Sequence, residues 1–381
     1  MTGGRKTVGK KEGKFLMVDC FTSWCAPCKK MEKEVYPLQA VGDHMRNDFV
    51  AIKVQLDTTK SDDEYTTGWY SEANAITSKY QVEVYPTYLF FNPEGKLVHR
   101  AVGFQQEDMF LATLNRARDA EHQIYTLLGT FDEGKLDLSL MPELVKSLKD
   151  IGERQKAYEV ANVYIEKYLL KLDKDELYKE ANIGFIGSNV RTSNSPAFAI
   201  FIKNSFEADS VTYAGFSRDV VEHMIVRENI MPAVERWKQT GTVKVKRQEW
   251  ARINQVVQDK YGRAYADRTV LKQQIAWCKA NAQWQDVVQY NVRLIEEFGL
   301  DTAGNGALYT NNTIYNTIFV HTDDRTTLKK CARWMKIICD AHPEDGGIWT
   351  HMQISFTSWG IRRVQFNMSK RHLLSIQVTR R

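Results

Sequence analysis

The stretch Trp24-Cys25-Ala26-Pro27-Cys28-Lys29 constrains this chain more than any other. It follows the apolar run Phe15-Leu16-Met17-Val18-Asp19-Cys20-Phe21, which reads as a buried strand. It opens a segment from Pro27 to about Arg46 that reads as a helix. Cys25 therefore falls at a strand-to-helix junction, beside the unpaired N–H groups of a first helical turn. Those groups and the helix dipole favour a thiolate over a thiol. The thiolate is the form of cysteine that attacks a disulfide. Cys28, one turn further, is placed to attack the mixed disulfide that forms at Cys25.

The competing reading of two cysteines at this spacing is half a zinc site. Such a site needs a second pair of cysteines or a suitably spaced pair of histidines. Cys20, Cys278, Cys331 and Cys339 do not supply one, so no metal ligand set and no cofactor are expected. Cys20 lies on the apolar strand, where cysteine behaves as a small hydrophobe. Cys331 and Cys339 fall on one predicted helix, with Cα atoms about 12 Å apart. That exceeds the roughly 7 Å a disulfide can span. Cys278 also reads as helical and buried.

With 381 residues, the chain has length for two or three domains, each with its own core. No apolar run approaches the roughly 18 residues of a membrane-spanning helix. Residues 1–13 are basic and carry no apolar core of a signal peptide. The net charge of +5 is concentrated at the C-terminal end. Residues 350–381 hold Arg362, Arg363, Lys370, Arg371, Arg380 and Arg381 and no acidic residue, which leaves the main body near neutrality. A basic face for nucleic acid is therefore not expected.

Periodicity gives the element order. Strands are expected over about 15–22, 49–57, 87–91 and 96–102. Helices are expected over about 27–47, up to residue 80, and over about 106–119. Between the second strand and its helix lies a polar insert, Thr58 to Ser71, with Asp62-Asp63-Glu64-Tyr65 and Trp69-Tyr70. In an open α/β sheet the carboxyl ends of the strands form the ligand end. The insert belongs there, either as a flap over substrate or as a solvated acidic loop.

Residues 14–119 resemble the thioredoxin superfamily. Val18-Asp19-Cys20-Phe21 leading to the Cys25–Cys28 motif is similar to its active-site strand and helix. Lys53-Val54-Gln55-Leu56-Asp57 is similar to the next core strand. Val84-Tyr85-Pro86-Thr87-Tyr88-Leu89-Phe90-Phe91 is similar to the cis-proline segment, and Asn92-Pro93-Glu94-Gly95 to the turn after it. Thioredoxin has a helix-kinking proline five residues after its second cysteine, where this chain has Lys33. The run Cys28-Lys29-Lys30-Met31-Glu32-Lys33 is closer to the C-terminal domain of the thiol:disulfide interchange protein DsbD and related envelope proteins. Residues 1–13 are too short for the first strand and full first helix usual in that family, and read as a truncated start.

The resemblance implies roles. Cys25 is the attacking and Cys28 the resolving cysteine. Asp19 takes the position of a buried carboxylate and Lys53 that of the lysine paired with it. Burial raises the carboxylate pKa, which suits it to accept a proton from the resolving thiol. Pro86 is expected to be cis, an isomer far more accessible to X–Pro than to other bonds. Trp24, Tyr85, Pro86 and Thr87 would bind substrate, with the Tyr85 backbone pairing an extended segment. Trp24 is expected to be half exposed. Cell-envelope localisation also rests on the resemblance alone.

Beyond residue 120 strand signals fade. Residues 120–349 read as an all-α helical-repeat domain. Leu140 to Tyr168 shows helical periodicity on both sides of Gly152, and Ile275 to Phe298 repeats the pattern. Lys149, Gln155, Ile165-Glu166 and Tyr168 match Lys279, Gln285, Ile295-Glu296 and Phe298 at one constant offset. A weaker third copy runs through Asp324-Arg325 and Cys331-Ala332-Arg333-Trp334. These resemble degenerate tetratricopeptide-like repeats. The alternative is an ordinary helical domain with chance self-similarity. The segment from Ala181 to Ser210, rich in Ser, Asn and Gly, gives no clear order.

The combined reading is an α/β thioredoxin-like domain followed by a helical-repeat domain, acting as a protein-disulfide reductase. Its expected partners are protein disulfide substrates, an upstream reductase and a protein held by the repeats. The alternative is a helical-repeat scaffold whose dithiol is a regulatory switch. The tail after Trp349 loses helical periodicity where a final repeat should close. Read from the last base of the Trp349 codon, residues 350–360 permit Asp-Thr-Tyr-Ala-Asn-Leu-Leu-Tyr-Lys-Leu-Gly, so residues 350–381 read as translated out of frame. An apolar face over Asp324–Cys339 would then lie uncovered.

Overall fold

The computed structural model describes residues 13–302 and 304–343. The basic tail and the start of the chain, with the expectations placed on them, lie outside these residues. The chain divides into two compact units that meet between Ala214 and Gly215.

The first unit is built on a mixed sheet in the order β2-β1-β3-β4. Strand β1 is Phe15–Phe21 and β2 is Phe49–Gln55, and they run parallel with Asp19 beside Lys53. Strand β3, Thr87–Phe91, pairs antiparallel with β1, bringing Thr87 beside Cys20. Strand β4, Leu97–Val102, closes the hairpin. Side chains alternate across a strand, and both faces of this sheet are apolar. On one face Leu16, Val18, Ile52, Val54, Leu89 and Phe91 pack against Trp69, Ala73 and Ile76. On the other, Met17, Phe49, Tyr88 and Phe90 meet Met31, Val35, Val41, Phe110 and Leu114. A sheet buried on both faces requires helices on both.

The expected helix from 27 to 47 is two helices. Helix α1 spans Ala26–Glu34 and α2 spans Gln39–Asp48. Pro37 lies in the break. Proline has no N–H and clashes with the preceding turn, and it drives its predecessor away from the helical region. The break leaves Tyr36 pointing into the sheet, where its hydroxyl reaches Asp19.

The insert is ordered. Asp63 caps the short helix α3, Glu64–Thr67, through its bond from the Thr66 N–H. Trp69 then enters the core, and α4 follows over Tyr70–Tyr80. Asp63 and Glu64 are exposed and Asp62 is part-buried, so the insert is not a loose loop.

Helix α5 is Glu107–Arg118, and α6 is Ile124–Asp132. The backbone N–H of Ile124 donates to Nδ1 of buried His99 on β4, at 3.3 Å. Burial, reinforced by Arg116, lowers the His99 pKa to about 4, so the ring is a neutral acceptor. This buried contact crosses the expected boundary at residues 119/120. The compact unit continues through helices α7, Met141–Asp150, and α8, Arg154–Lys167, to Ala214.

Among the described residues every element after β4 is helical. The two repeated segments share one turn. In the first, Glu153 N–H bonds to Leu148 C=O at 2.8 Å and Gly152 has φ +85°. In the second, which joins Arg263–Ala280 to Trp284–Phe298, Gln283 N–H bonds to Cys278 C=O at 2.9 Å and Ala282 has φ +54°. The six-to-one bond with a left-handed residue is a helix-ending motif that favours glycine. Ala282 occupies the position in this turn that Gly152 fills in the first. A left-handed alanine costs about 1–2 kcal/mol, offset in part by the greater chain entropy of glycine. Ala282→Gly is thus expected to stabilise the second unit by about 0.5–1 kcal/mol, read as slower hydrogen exchange in the two flanking helices. Faster exchange would contradict it.

The helix Arg325–Ala341 buries Leu328, Cys331, Trp334, Met335, Ile338 and Cys339. Most of this face packs on Val288, Ile295, Ile314 and Ile318. The apolar stripe expected to be uncovered is therefore largely covered, with Ile337 exposed beside it.

Candidate active site

Cys25 is the N-cap of α1, and Cys25 and Cys28 form a disulfide. The Cys28 backbone N–H donates to Cys25 Sγ at 3.1 Å. In the reduced state an N–H held in this position lowers the cost of a thiolate at Cys25. Both cysteines are buried, at 1% and 4% exposure. Trp24 beside them is 69% exposed, more than the half expected. Cys20, Cys278, Cys331 and Cys339 are buried and lie outside this disulfide.

The antiparallel pairing of β1 with β3 sets the cis-proline loop beside the dithiol turn. The Tyr85–Pro86 peptide bond is cis. Tyr85 packs edge-on against Trp24, with ring centroids 5.8 Å apart. Tyr85 precedes the first ladder pair of β3, Cys20 with Thr87, so its backbone lies outside the ladder. The Pro86 carbonyl accepts from Gly103 N–H at 2.7 Å. Thr87 is fully buried and its hydroxyl donates to Val84 C=O at 2.6 Å. Its side chain braces the loop from within and presents nothing at the surface.

Asp19 lies on the α1 face of β1 at 5% exposure. Tyr36 donates to its Oδ2 at 2.7 Å, and Tyr36 also meets the Tyr88 hydroxyl at 3.3 Å. Burial raises the Asp19 pKa to about 6, opposed by the Tyr36 bond and the Lys53 charge. Lys53 stands beside Asp19 in register, yet its ammonium pairs with Glu32 on α1 and covers the Phe21 ring at 3.8 Å. The direct Asp19–Lys53 ion pair expected from sequence is replaced by Lys53–Glu32. Burial draws the Lys53 pKa down, and Asp19 pulls it back up.

A second group braces the turn from the other side. Asp57, just past β2, accepts from Ser23 N–H at 2.9 Å and from Ser23 Oγ at 2.5 Å. Behind it, Asp62 gathers Thr59, Gln55 and Tyr70, the last at 2.6 Å. Those bonds hold the Asp62 carboxyl well below the usual range.

Sequence reasoning missed Tyr36, Glu32, Ser23 and Asp57. Glu32 was legible in principle, since it follows Cys28 by one helical turn on the same face. Among the described residues no cluster of His, Cys, Asp and Glu is placed to hold a metal.

Residues 5–118 match the thioredoxin-like domain family. The N-terminal part of the chain is a thioredoxin-like domain. Over 103 residues it is 31% identical to the thiol:disulfide interchange protein DsbD of Pectobacterium atrosepticum, a match covering 26% of this chain and 16% of that one. It is 34% identical to the DsbD of Pseudoalteromonas atlantica, with the same coverage. The chain thus spans about 16% of the length of these curated relatives. Among solved structures, the oxidised C-terminal domain of Neisseria meningitidis DsbD aligns at 21% identity and TM-score 0.25, covering 31% of this chain and 92% of that domain. No described helix is long and apolar enough to cross a membrane.

Proposed function

We propose that the chain is a thiol–disulfide oxidoreductase that reduces disulfides in protein substrates through Cys25 and Cys28. The carrying observation is the placement of Cys25 Sγ at the N-terminus of α1, where the Cys28 N–H donates to it. The Cys25 thiolate attacks one sulfur of a substrate disulfide. A mixed disulfide forms and one substrate thiolate leaves. Cys28 loses its proton to Asp19 and attacks Cys25 Sγ. The Cys25–Cys28 disulfide closes and the second substrate thiolate leaves, taking up a proton. Two electrons pass from the dithiol to the substrate, and an upstream dithiol donor must restore them. Lys53, held by Glu32, keeps positive charge near Asp19. Trp24, Tyr85 and the Pro86 loop form the apolar rim on which an extended substrate segment would lie.

The reducing direction rests on the Ala26-Pro27 pair between the cysteines, and the cell envelope is proposed from the DsbD likeness. The helical part, proposed as tetratricopeptide-like repeats over 120–349, would hold the protein partner. The test is catalysed insulin reduction by dithiothreitol. Multiple turnover abolished by Cys25→Ser is expected, and its absence in the parent would leave only a redox switch. A Cys25–Cys28 potential near −270 mV, as in thioredoxin, agrees with a reductant, whereas one near −120 mV reverses the direction.

A further inference from the structure

Two residues before Cys25 and five before Cys28 the chain is tied down by a charge that takes no part in the proton step described above. Ser23 gives both its N–H and its Oγ–H to one carboxylate, that of Asp57, at 2.9 and 2.5 Å. Asp57 is itself fixed. Its backbone carbonyl accepts from Gln55 Nε2 at 3.2 Å, and the same amide donates to Asp62 at 3.0 Å. Asp62 in turn is bonded to Thr59 and Tyr70. The insert therefore acts as the foundation of this contact.

We propose that Asp57 is a positioning residue for the dithiol: it locks the Ser23–Trp24–Cys25 turn to the end of β2 and sets a negative charge on the residue two before the cysteine that must become a thiolate. The proposal rests on Cys25 being the attacking cysteine. Like charges disfavour each other's ionised form. Asp57 thus opposes the helix terminus, which favours the Cys25 thiolate. The influence of Asp57 reaches the substrate rim, because the Tyr85 hydroxyl is pushed up by burial first and then by charge at Cys20 and Asp57. The other ionisable groups around this end of the sheet are Asp19 on β1, Lys53 on β2, Glu32 on α1, Tyr85 before β3, and Tyr70 with Asp62 behind the insert. None of them bonds to Ser23 among the contacts described. A dithiol with a restrained thiolate releases electrons more readily, since its reduced form is less favoured.

The test follows the thiolate of Cys25 in the reduced full-length protein, by the pH dependence of iodoacetamide alkylation read on the Cys25 peptide. Asp57→Asn keeps the shape and removes the charge. It should lower the thiolate midpoint and speed alkylation at pH 7 about three- to tenfold. The dithiothreitol exchange equilibrium at pH 8.5 should shift by a similar factor toward the reduced protein, a tenfold change being about 30 mV. Asp57→Glu keeps the charge and should stay within about twofold of the parent, as should Ser23→Ala, which removes one of two donors. If Asp57→Asn loses β-sheet hydrogen-exchange protection, Asp57→Ser carries the same expectation. An unchanged midpoint in the neutral variants overturns the proposal, and so does a Ser23→Ala shift as large as that of Asp57→Asn. These readouts need no protein substrate. Failure of insulin reduction in the parent would thus sink the proposed function while leaving this inference standing.

Discussion

Asp19→Asn is expected to make the thioredoxin-like domain more stable at neutral pH while slowing its chemistry. The folded carboxyl titrates at about 6, against an ordinary 3.8. Between those values the folded protein keeps a proton that the unfolded chain has lost. Stability therefore falls as pH rises through that window, and the cost stays constant above about pH 6. Each unit is worth about 1.4 kcal/mol, so the ionised Asp19 costs about 2–3 kcal/mol at pH 8. Asparagine removes that cost. At pH 3.5, where the folded carboxyl is protonated and the unfolded one mostly so, the two proteins should differ little. Hydrogen exchange in β1, one of the two inner strands, reads the domain's opening free energy. A gain of equal size at pH 3.5 and pH 8 would show that burial of charge is not its source. The asparagine side chain cannot accept the Cys28 proton, so mixed disulfide with substrate should accumulate at pH 7. A variant that releases product as fast as the parent would make Asp19 structural only.

The candidate site was legible in sequence where its residues lie on local patterns, and reading stopped where tertiary placement decides. Cys25, Cys28, Asp19 and Pro86 are tied to local patterns: a strand, a helix start and an X–Pro before an apolar run. Strands β1 to β4 were legible within a few residues because both sheet faces are apolar and turns bound each run. The break at Pro37 was missed, although proline after Tyr36 is a local stop signal. Its consequence, a buried tyrosine on Asp19, depends on tertiary placement. The Lys53–Glu32 pair is of the same kind. Register puts Lys53 beside Asp19, but the ammonium chooses the more exposed carboxylate on α1, where less desolvation is required.

The helical part shows the opposite balance. The constant offset between Lys149 and Lys279 was visible, and the two helix junctions near these residues end in turns of like geometry. Helix Glu180–Asn189 was not legible, because Gly184 and Gly187 weaken its propensity by about 1 kcal/mol each. Burial of Ile183 and Ile186 overrides that local preference. Asp57 was quoted only as the end of a strand motif. Nothing in the spacing shows that the loop after it folds back so that Ser23 finds its carboxylate.

Tyr36→Phe should separate the proton-accepting role of Asp19 from its burial. The Tyr36 hydroxyl donates to Asp19 Oδ2 at 2.7 Å, and this bond lowers a pKa that burial has raised to about 6. A hydrogen bond to a charged group is worth about 1.5–3 kcal/mol, or roughly one to two pKa units. Without it Asp19 should titrate above 7 and be largely protonated at neutral pH. The phenyl ring keeps the packing against Phe110, whose centroid lies 5.8 Å away, so the fold should persist. Single-turnover release of the mixed disulfide should slow about three- to tenfold at pH 7. It should recover toward the parent rate by pH 9, because the carboxyl is then ionised again. Asp19→Asn should show no such recovery, since it has no proton site to restore. The pairing of an alkaline shift in Tyr36→Phe with a flat deficit in Asp19→Asn is the signature of a base tuned by one hydroxyl. Parallel profiles in the two variants, or a Tyr36→Phe midpoint equal to that of the parent, would assign the Tyr36–Asp19 bond to packing alone.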